Sequence, residues 1–451
     1  MKKRNIIIIS AVLVVLVAAY VFAVNYNPVS DTPTSNKPTE SIVVFEKDSA
    51  SLTKIEFEND MPFTLIKNGE TWSIEGKNVE ILQDKALSIT YNAAYISAVS
   101  KIKNAENLGD FGLDNPSSIV TVHFGDKSQQ MLLGSKTPTD NYYYFKLADK
   151  DDVYTISEYT ADIFFKNPSS VRDLNVVALE VTDILGFEIS SPTETLKVDY
   201  SPLEEGEENP YNTLSIWDIT SPFVHKAENE KVVQQLVTPA SSVIAEAVVE
   251  DSPSSLSKYG LDTTVTIKTS DKNITLRTGS ANGVNYAYRV DKKILYSVSA
   301  SSVAFSKVRG FDLIQRLIAL PQLTELKSVT VSTPNVTGTL TLKKESEEVT
   351  KYFYNNKYAE ETAFKSLYQK IVALSIDGVI AKPITKIASY GTIEYVLNNG
   401  ETISLEFFPY DDLNVAVEKN GVIQFFMKKS KLSELEEALK KFKDNPTQKV
   451  Q

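Results

Sequence analysis

Apolar residues run without a charge from Ile6 to Val24, behind Lys2, Lys3 and Arg4, and Ser10 and Tyr20 are the only polar breaks. Nineteen helical residues at 1.5 Å each reach about 28 Å, close to the roughly 30 Å hydrocarbon core of a bilayer. The pattern predicts a transmembrane helix over residues 6–24 with a cytoplasmic tip at residues 1–5. The basic flank stays inside by the positive-inside rule, which puts the rest of the chain outside the cytoplasm. The competing reading is a signal peptide cut after Ala23. Its apolar core would normally span only about 7–15 residues, so the longer run favours an uncleaved anchor. Residues 25–41 hold Pro28, Pro33 and Pro38 among Ser, Thr and Asn and read as a linker.

Beyond Ile42 the solid apolar run gives way to alternation, and the alternation repeats. Phe111-Gly112-Leu113-Asp114 recurs as Tyr259-Gly260-Leu261-Asp262, and more weakly as Tyr390-Gly391-Thr392. An alternating strand follows each, at 118–123, 263–268 and 392–397. A polar turn and a second strand come next, ending in Leu133-Gly134-Ser135 and Thr278-Gly279-Ser280. An aromatic strand then opens at Tyr143-Tyr144-Phe145, matched by Tyr286-Ala287-Tyr288, with residues 414–417 as the third version. A closing strand ends each set, at 153–156, 295–298 and 423–426.

The upstream half repeats too. Trp72 stands 40 residues before Gly112, Trp217 stands 43 before Gly260, and Phe353 stands 38 before Gly391. Phe364, Leu367, Tyr368, Ile371 and Val372 keep the 3.6-residue period of an amphipathic helix, as do Val233, Leu236, Val237 and Ala240. A hairpin precedes each aromatic. The chain therefore reads as an α+β protein: three repeated antiparallel-sheet-plus-helix domains over 42–180, 181–322 and a divergent 323–445, then a tail at 446–451. Leu432, Leu435 and Leu439 predict a closing helix.

Composition narrows the chemistry. The chain has no Cys and two His in 451 residues. That removes disulfides, thiol nucleophiles and Cys-ligated metals. The net charge of −11, with no basic block, argues against nucleic-acid binding.

The order of motifs resembles the bacterial domain of unknown function (DUF) 4340 family. The residues that carry it are Trp72, Gly112, Leu113, Asp114, Pro116, Gly134, Tyr143, Tyr144, Tyr154, Arg172 and Asp173, then Trp217, Gly260, Leu261, Asp262, Gly279, Tyr286, Tyr288 and Tyr296. The resemblance implies a membrane-anchored auxiliary protein beside the ATPase and permease of a gliding-motility-type ABC transport system. The family offers no established catalytic residue to carry over, and the residues of this chain lead to the expectation of no cofactor and no metal.

The residues themselves give the same answer. The Gly of each aromatic-Gly pair reads as a positive-φ turn before a strand, and the Asp after it as an Asx-turn. His123 corresponds to Lys268 and so reads as a solvent-facing position, whereas His225 has no second His at metal spacing. The acidic runs 204–208 and 149–152 read as solvated loops, because they lack the alternating Asp/Asn order and turn glycine of a calcium loop. Tyr143 and Phe145 are expected to pack, with Tyr144 more exposed. The expectation is a non-catalytic accessory subunit of an ABC-type system. The alternative is a cell-envelope scaffold or wall-binding protein. A surface hydrolase has no constellation in its favour.

Overall fold

The computed structural model describes residues 41–103, 105–138, 141–202, 215–345 and 349–444. The residues expected to form the anchor and the tail, residues 25–40 of the expected linker, and the acidic run 204–208 lie outside them. Among the described residues no helix is long and apolar enough to cross a membrane. The chain is α+β and sheet-rich, and its described strand pairs are antiparallel.

Two compact units form. The first takes the described part of Met1–Glu70 together with Leu87–Lys166, and the second takes Thr71–Ala86 with the described part of Asn167–Gln451. In the first unit the strands run in the order Phe63–Asn68, Lys54–Glu58, Ser118–Phe124, Lys127–Lys136, Tyr142–Leu147, Tyr154–Ser157, Ser100–Lys101. Ile55, Phe57, Val120, Val122, Leu133 and Phe145 alternate onto one face and are buried. Ile163 and Phe164 cover that face, and the Phe164 ring meets Phe145 edge-on at 6.0 Å.

The second unit holds two nine-stranded sheets with the same strand order. In each, the first strand of the hairpin lies in the middle and pairs with the first strand of the meander. Phe187 faces Ile267 in one sheet and Val329 faces Tyr395 in the other, as Ile55 faces Val122 in the first unit. Hairpin and meander therefore form one sheet rather than two layers. The helix Glu361–Val372 buries Phe364, Leu367, Tyr368, Ile371 and Val372, the stripe its period predicts. Its counterpart is broken into Asn229–Val232, a π turn at Val233–Val237, and Thr238–Ser241. Pro239 has no N–H to donate to the preceding turn, which is where the helix widens. The closing helix Lys429–Asp444 buries Leu432, Leu435, Leu439 and Phe442, with Phe442 edge-on to Tyr354 at 5.1 Å. One continuous core cluster runs through both sheets of this unit.

The ladders correct three positions read from the sequence. Counting from the central pairs, Ser118, Thr263 and Gly391 share one place. Gly391 is thus the first residue of a strand (φ +147°), not the turn glycine of the first two copies. Likewise Trp217 faces Tyr200 where Tyr352 faces Leu342, so the buried Tyr352, and not the half-buried Phe353, stands in the tryptophan's place. Finally, Tyr144 rather than Tyr143 matches Tyr286, because Phe145 and Ala287 sit opposite Leu133 and Thr278. Side chains alternate with period two, so the one-residue slip from Tyr352 to Phe353 exchanges a buried position for a half-buried one.

Candidate functional site

The signature residues form a packing device. The segment Leu108–Phe111 is a single 3-10 turn, capped by Gly112 in the left-handed conformation at φ +67°. The segment Ser257–Tyr259 ends the same way at Gly260, φ +61°. Each turn presses its backbone onto the strand that carries the second glycine. A Cβ on Gly134 would lie 2.2 Å from the carbonyl oxygen of Phe111, and one on Gly279 would lie 1.8 Å from that of Gly260. From the other side, a Cβ on Gly112 would meet Ser135 Oγ at 2.3 Å, and one on Gly260 would meet Ser280 O at 2.4 Å. No side chain fits between turn and strand, which explains the paired glycines.

Neighbouring residues complete this clasp. Leu113 and Leu261 are buried beneath it. The Phe111 ring meets Tyr144 edge-on at 4.9 Å, and Tyr259 meets Tyr286 at 5.0 Å. Tyr144 is therefore half-buried against Phe111, where the sequence had suggested exposure. Tyr143 meets Phe165 at 5.5 Å. Asp114 Oδ1 accepts the Asn115 N–H at 2.9 Å, and Asp262 Oδ1 accepts from Thr263 Oγ1 at 3.0 Å. Trp72 is buried, and Gln83 brackets its backbone, accepting its N–H at 2.8 Å and donating to its carbonyl at 3.0 Å. Trp217 is buried with its ring edge-on to Tyr200 at 5.2 Å.

Arg172 and Arg289 lie buried in the second unit. Arg172 forms a two-point pair with Asp251, at 2.8 and 2.5 Å. Arg289 does the same with Asp291, at 2.5 and 3.2 Å, and also donates to the Val176 carbonyl. The Arg289 guanidinium holds the Asp291 carboxyl down at about 2. Tyr296 is fully buried near both pairs, and burial pushes its hydroxyl up to about 12. Charges matched in this way serve structure.

His123 and Lys268 lie half-buried on their sheets and each answers a carboxylate. His123 Nε2 is 3.2 Å from Glu56 Oε2, and Lys268 pairs with Asp199. Asp149 and Asp152 bond Gln129 and Lys101 at the surface, each at 2.6 Å. Among the described residues, no three His, Asp or Glu side chains are placed to hold a metal ion.

One cleft in the second unit is not accounted for by packing. It lies between the strand His225–Lys226, the connector through residues 315–320, and the strands Asn414–Lys419 and Val422–Lys428. Its volume is about 690 Å³, and Ile318, Leu320, Ile376, Ile403, Val417 and Phe425 supply apolar walls. Val415, Val417 and Lys419 alternate along one strand, so a core stripe ends in a cation. Lys419 Nζ donates to the Ile318 carbonyl at 2.9 Å, and burial holds its ammonium below the usual lysine range. His225 Nε2 lies 2.9 Å from the Gln315 carbonyl, its ring edge-on to Phe425 at 5.1 Å. Burial lowers the His225 pKa as well, the Gln315 carbonyl opposing and the Lys419 charge assisting. A bulge near Val417 frees Gln424, whose carboxamide brackets Val224, accepting its N–H at 2.7 Å and donating to its carbonyl at 3.1 Å. Sequence reading had set His225 aside for want of a metal partner and had passed over Lys419. The available signal was a lysine in phase with two core valines.

The family model described as a domain of unknown function (DUF4340) matches residues 72–215 and 217–393. The chain belongs to this family. Both matches open at a tryptophan strand, Trp72 and Trp217, and so take in the helix, the clasp and the meander that follow. No curated protein and no solved structure matches the chain.

Proposed function

We propose that this DUF4340 protein is a membrane-anchored, extracytoplasmic accessory protein. In this reading it is a non-catalytic auxiliary subunit of an ABC-type transport system, held by Ile6 to Val24 on the outer face of a bacterial cytoplasmic membrane. It presents three repeated domains over 42–180, 181–322 and 323–445. The observation that carries the reading is the clasp: the repeated glycines are used up where backbone meets backbone, at Gly134 on Phe111 and at Gly279 on Gly260. Residues spent on packing build a scaffold, and a scaffold works by docking to partners. The motif order that resembles the family suggests a transporter as the kind of partner.

The test is affinity capture of the full-length protein from mildly solubilised, cross-linked membranes of its own host, with mass spectrometry. An ATPase and a polytopic permease should be enriched over a control with an unrelated anchor. Their absence, where known transporter complexes survive the preparation, would overturn the reading. Co-sedimentation with wall material would then point to the envelope-scaffold alternative.

A further inference from the structure

We infer that the cleft beside Lys419 binds a small molecule with an apolar body and a single carboxylate, the carboxylate seated at the Lys419 ammonium. Three observations lead there, independently of any transporter. First, at about 690 Å³ the cavity is of small-molecule size, within the roughly 300–1,000 Å³ typical of such sites. Its walls are apolar apart from a few convergent polar groups, the usual make-up of a ligand pocket.

Second, the charge in the cleft is unbalanced. Asp218 at its margin is engaged by Lys226 at 2.8 Å. Among the described residues no carboxylate lies within ion-pair distance of Lys419, and the neighbouring Glu418 turns to Lys386 instead. With His225 biased to its neutral form, one positive charge is left over. A monocarboxylate balances a single charge, and a phosphate dianion does not. Third, the ammonium has three N–H donors and spends one on the Ile318 carbonyl. A carboxylate at that point accepts the remaining donors in low-dielectric surroundings, where the bond is strong.

The probe is 6-phenylhexanoate, compared with 6-phenylhexan-1-ol and 6-phenylhexylammonium. Each is titrated by calorimetry into the full-length protein in lipid nanodiscs, against empty nanodiscs. The carboxylate should bind at least tenfold more tightly than the alcohol, and the ammonium most weakly. Lys419→Met should abolish the preference for carboxylate over alcohol and leave the affinity for the alcohol unchanged. A diazirine derivative of the carboxylate should label residues 315–320 or 417–425 of the unmutated protein, which tests the site even if Lys419→Met fails to fold. Equal affinities for carboxylate and alcohol, a preference that survives Lys419→Met, labelling elsewhere, or no binding by the natively folded protein would each overturn the inference. None of these outcomes bears on whether a transporter is captured.

Discussion

The α-carbon of Gly279 sits so close to Gly260 that a Cβ there would lie 1.8 Å from the Gly260 carbonyl oxygen. Alanine at 279 must therefore push the turn away from the strand and loosen Leu261 and Tyr259 against Tyr286. Gly279→Ala should cost about 2–3 kcal/mol, as overpacking usually does. Gly283→Ala is the control: its φ is +80° but nothing lies within 4 Å of its Cβ. It should cost only the roughly 1–2 kcal/mol of left-handed backbone strain. Urea midpoints of the two variants decide, and equal losses would deny the clasp its role.

Asp291 links stability to acid. Its folded carboxyl titrates at about 2 against the ordinary 3.8. The stabilisation is therefore complete above about pH 5 and is lost as pH falls toward 2, and it amounts to about 2 kcal/mol. Asp291→Asn should remove that share of the pH slope. Stability curves between pH 2 and 5 for both proteins provide the check.

His225 gives a second window at higher pH. Burial lowers its pKa below the ordinary 6.5, so the folded state prefers the neutral ring. Its contribution is present above about pH 6.5 and declines as pH falls below that value, where the unfolded chain takes up the proton first. His225→Gln should flatten the stability profile between pH 5 and 7. An unchanged profile would mean that the ring charges freely in the folded protein.

The Tyr395 hydroxyl is buried with no hydrogen-bond partner among the described residues, and burial raises its pKa. An unsatisfied hydroxyl costs folding free energy that an apolar replacement of the same shape recovers. Tyr395→Phe should be neutral or stabilising by up to about 1 kcal/mol, read from the shift in melting temperature. A loss of more than that would reveal a bond from the hydroxyl.

Residues 6–24 carry the membrane assignment. Removing residues 1–24 and supplying a cleavable export signal should move the protein from the membrane fraction to the soluble extracytoplasmic fraction. Retention at the membrane would transfer the anchoring role to the folded body or its partners.

Much of the architecture was legible because it is written in local periodicity. The stripe on Glu361–Val372 and the strand–turn–strand order of the first two copies need only neighbouring residues to be recognised. The third copy was misread at Gly391, which stands level with Thr263 rather than with the turn glycine Gly260, and was one residue out of phase at Phe353. It lacks the glycine clasp of the other two, and an alternating strand offers no other local mark of which face is which. The cleft was not legible, since Lys419 and His225 lie 194 positions apart and nothing in either segment points to the other.

The sequence by itself determined the sheet-rich α+β class, the stripe on Glu361–Val372 and the family, because periodicity, turn glycines and motif order are properties of short stretches of chain. Only the tertiary structure decided that hairpin and meander join as one sheet, through pairs such as Phe187 with Ile267. It alone explained the paired glycines, by bringing Gly260 onto Gly279. It also brought a lysine at the end of a valine stripe into an apolar cleft. Backbone approach and the desolvation of a charge depend on what lies opposite in space, and local sequence carries no record of that.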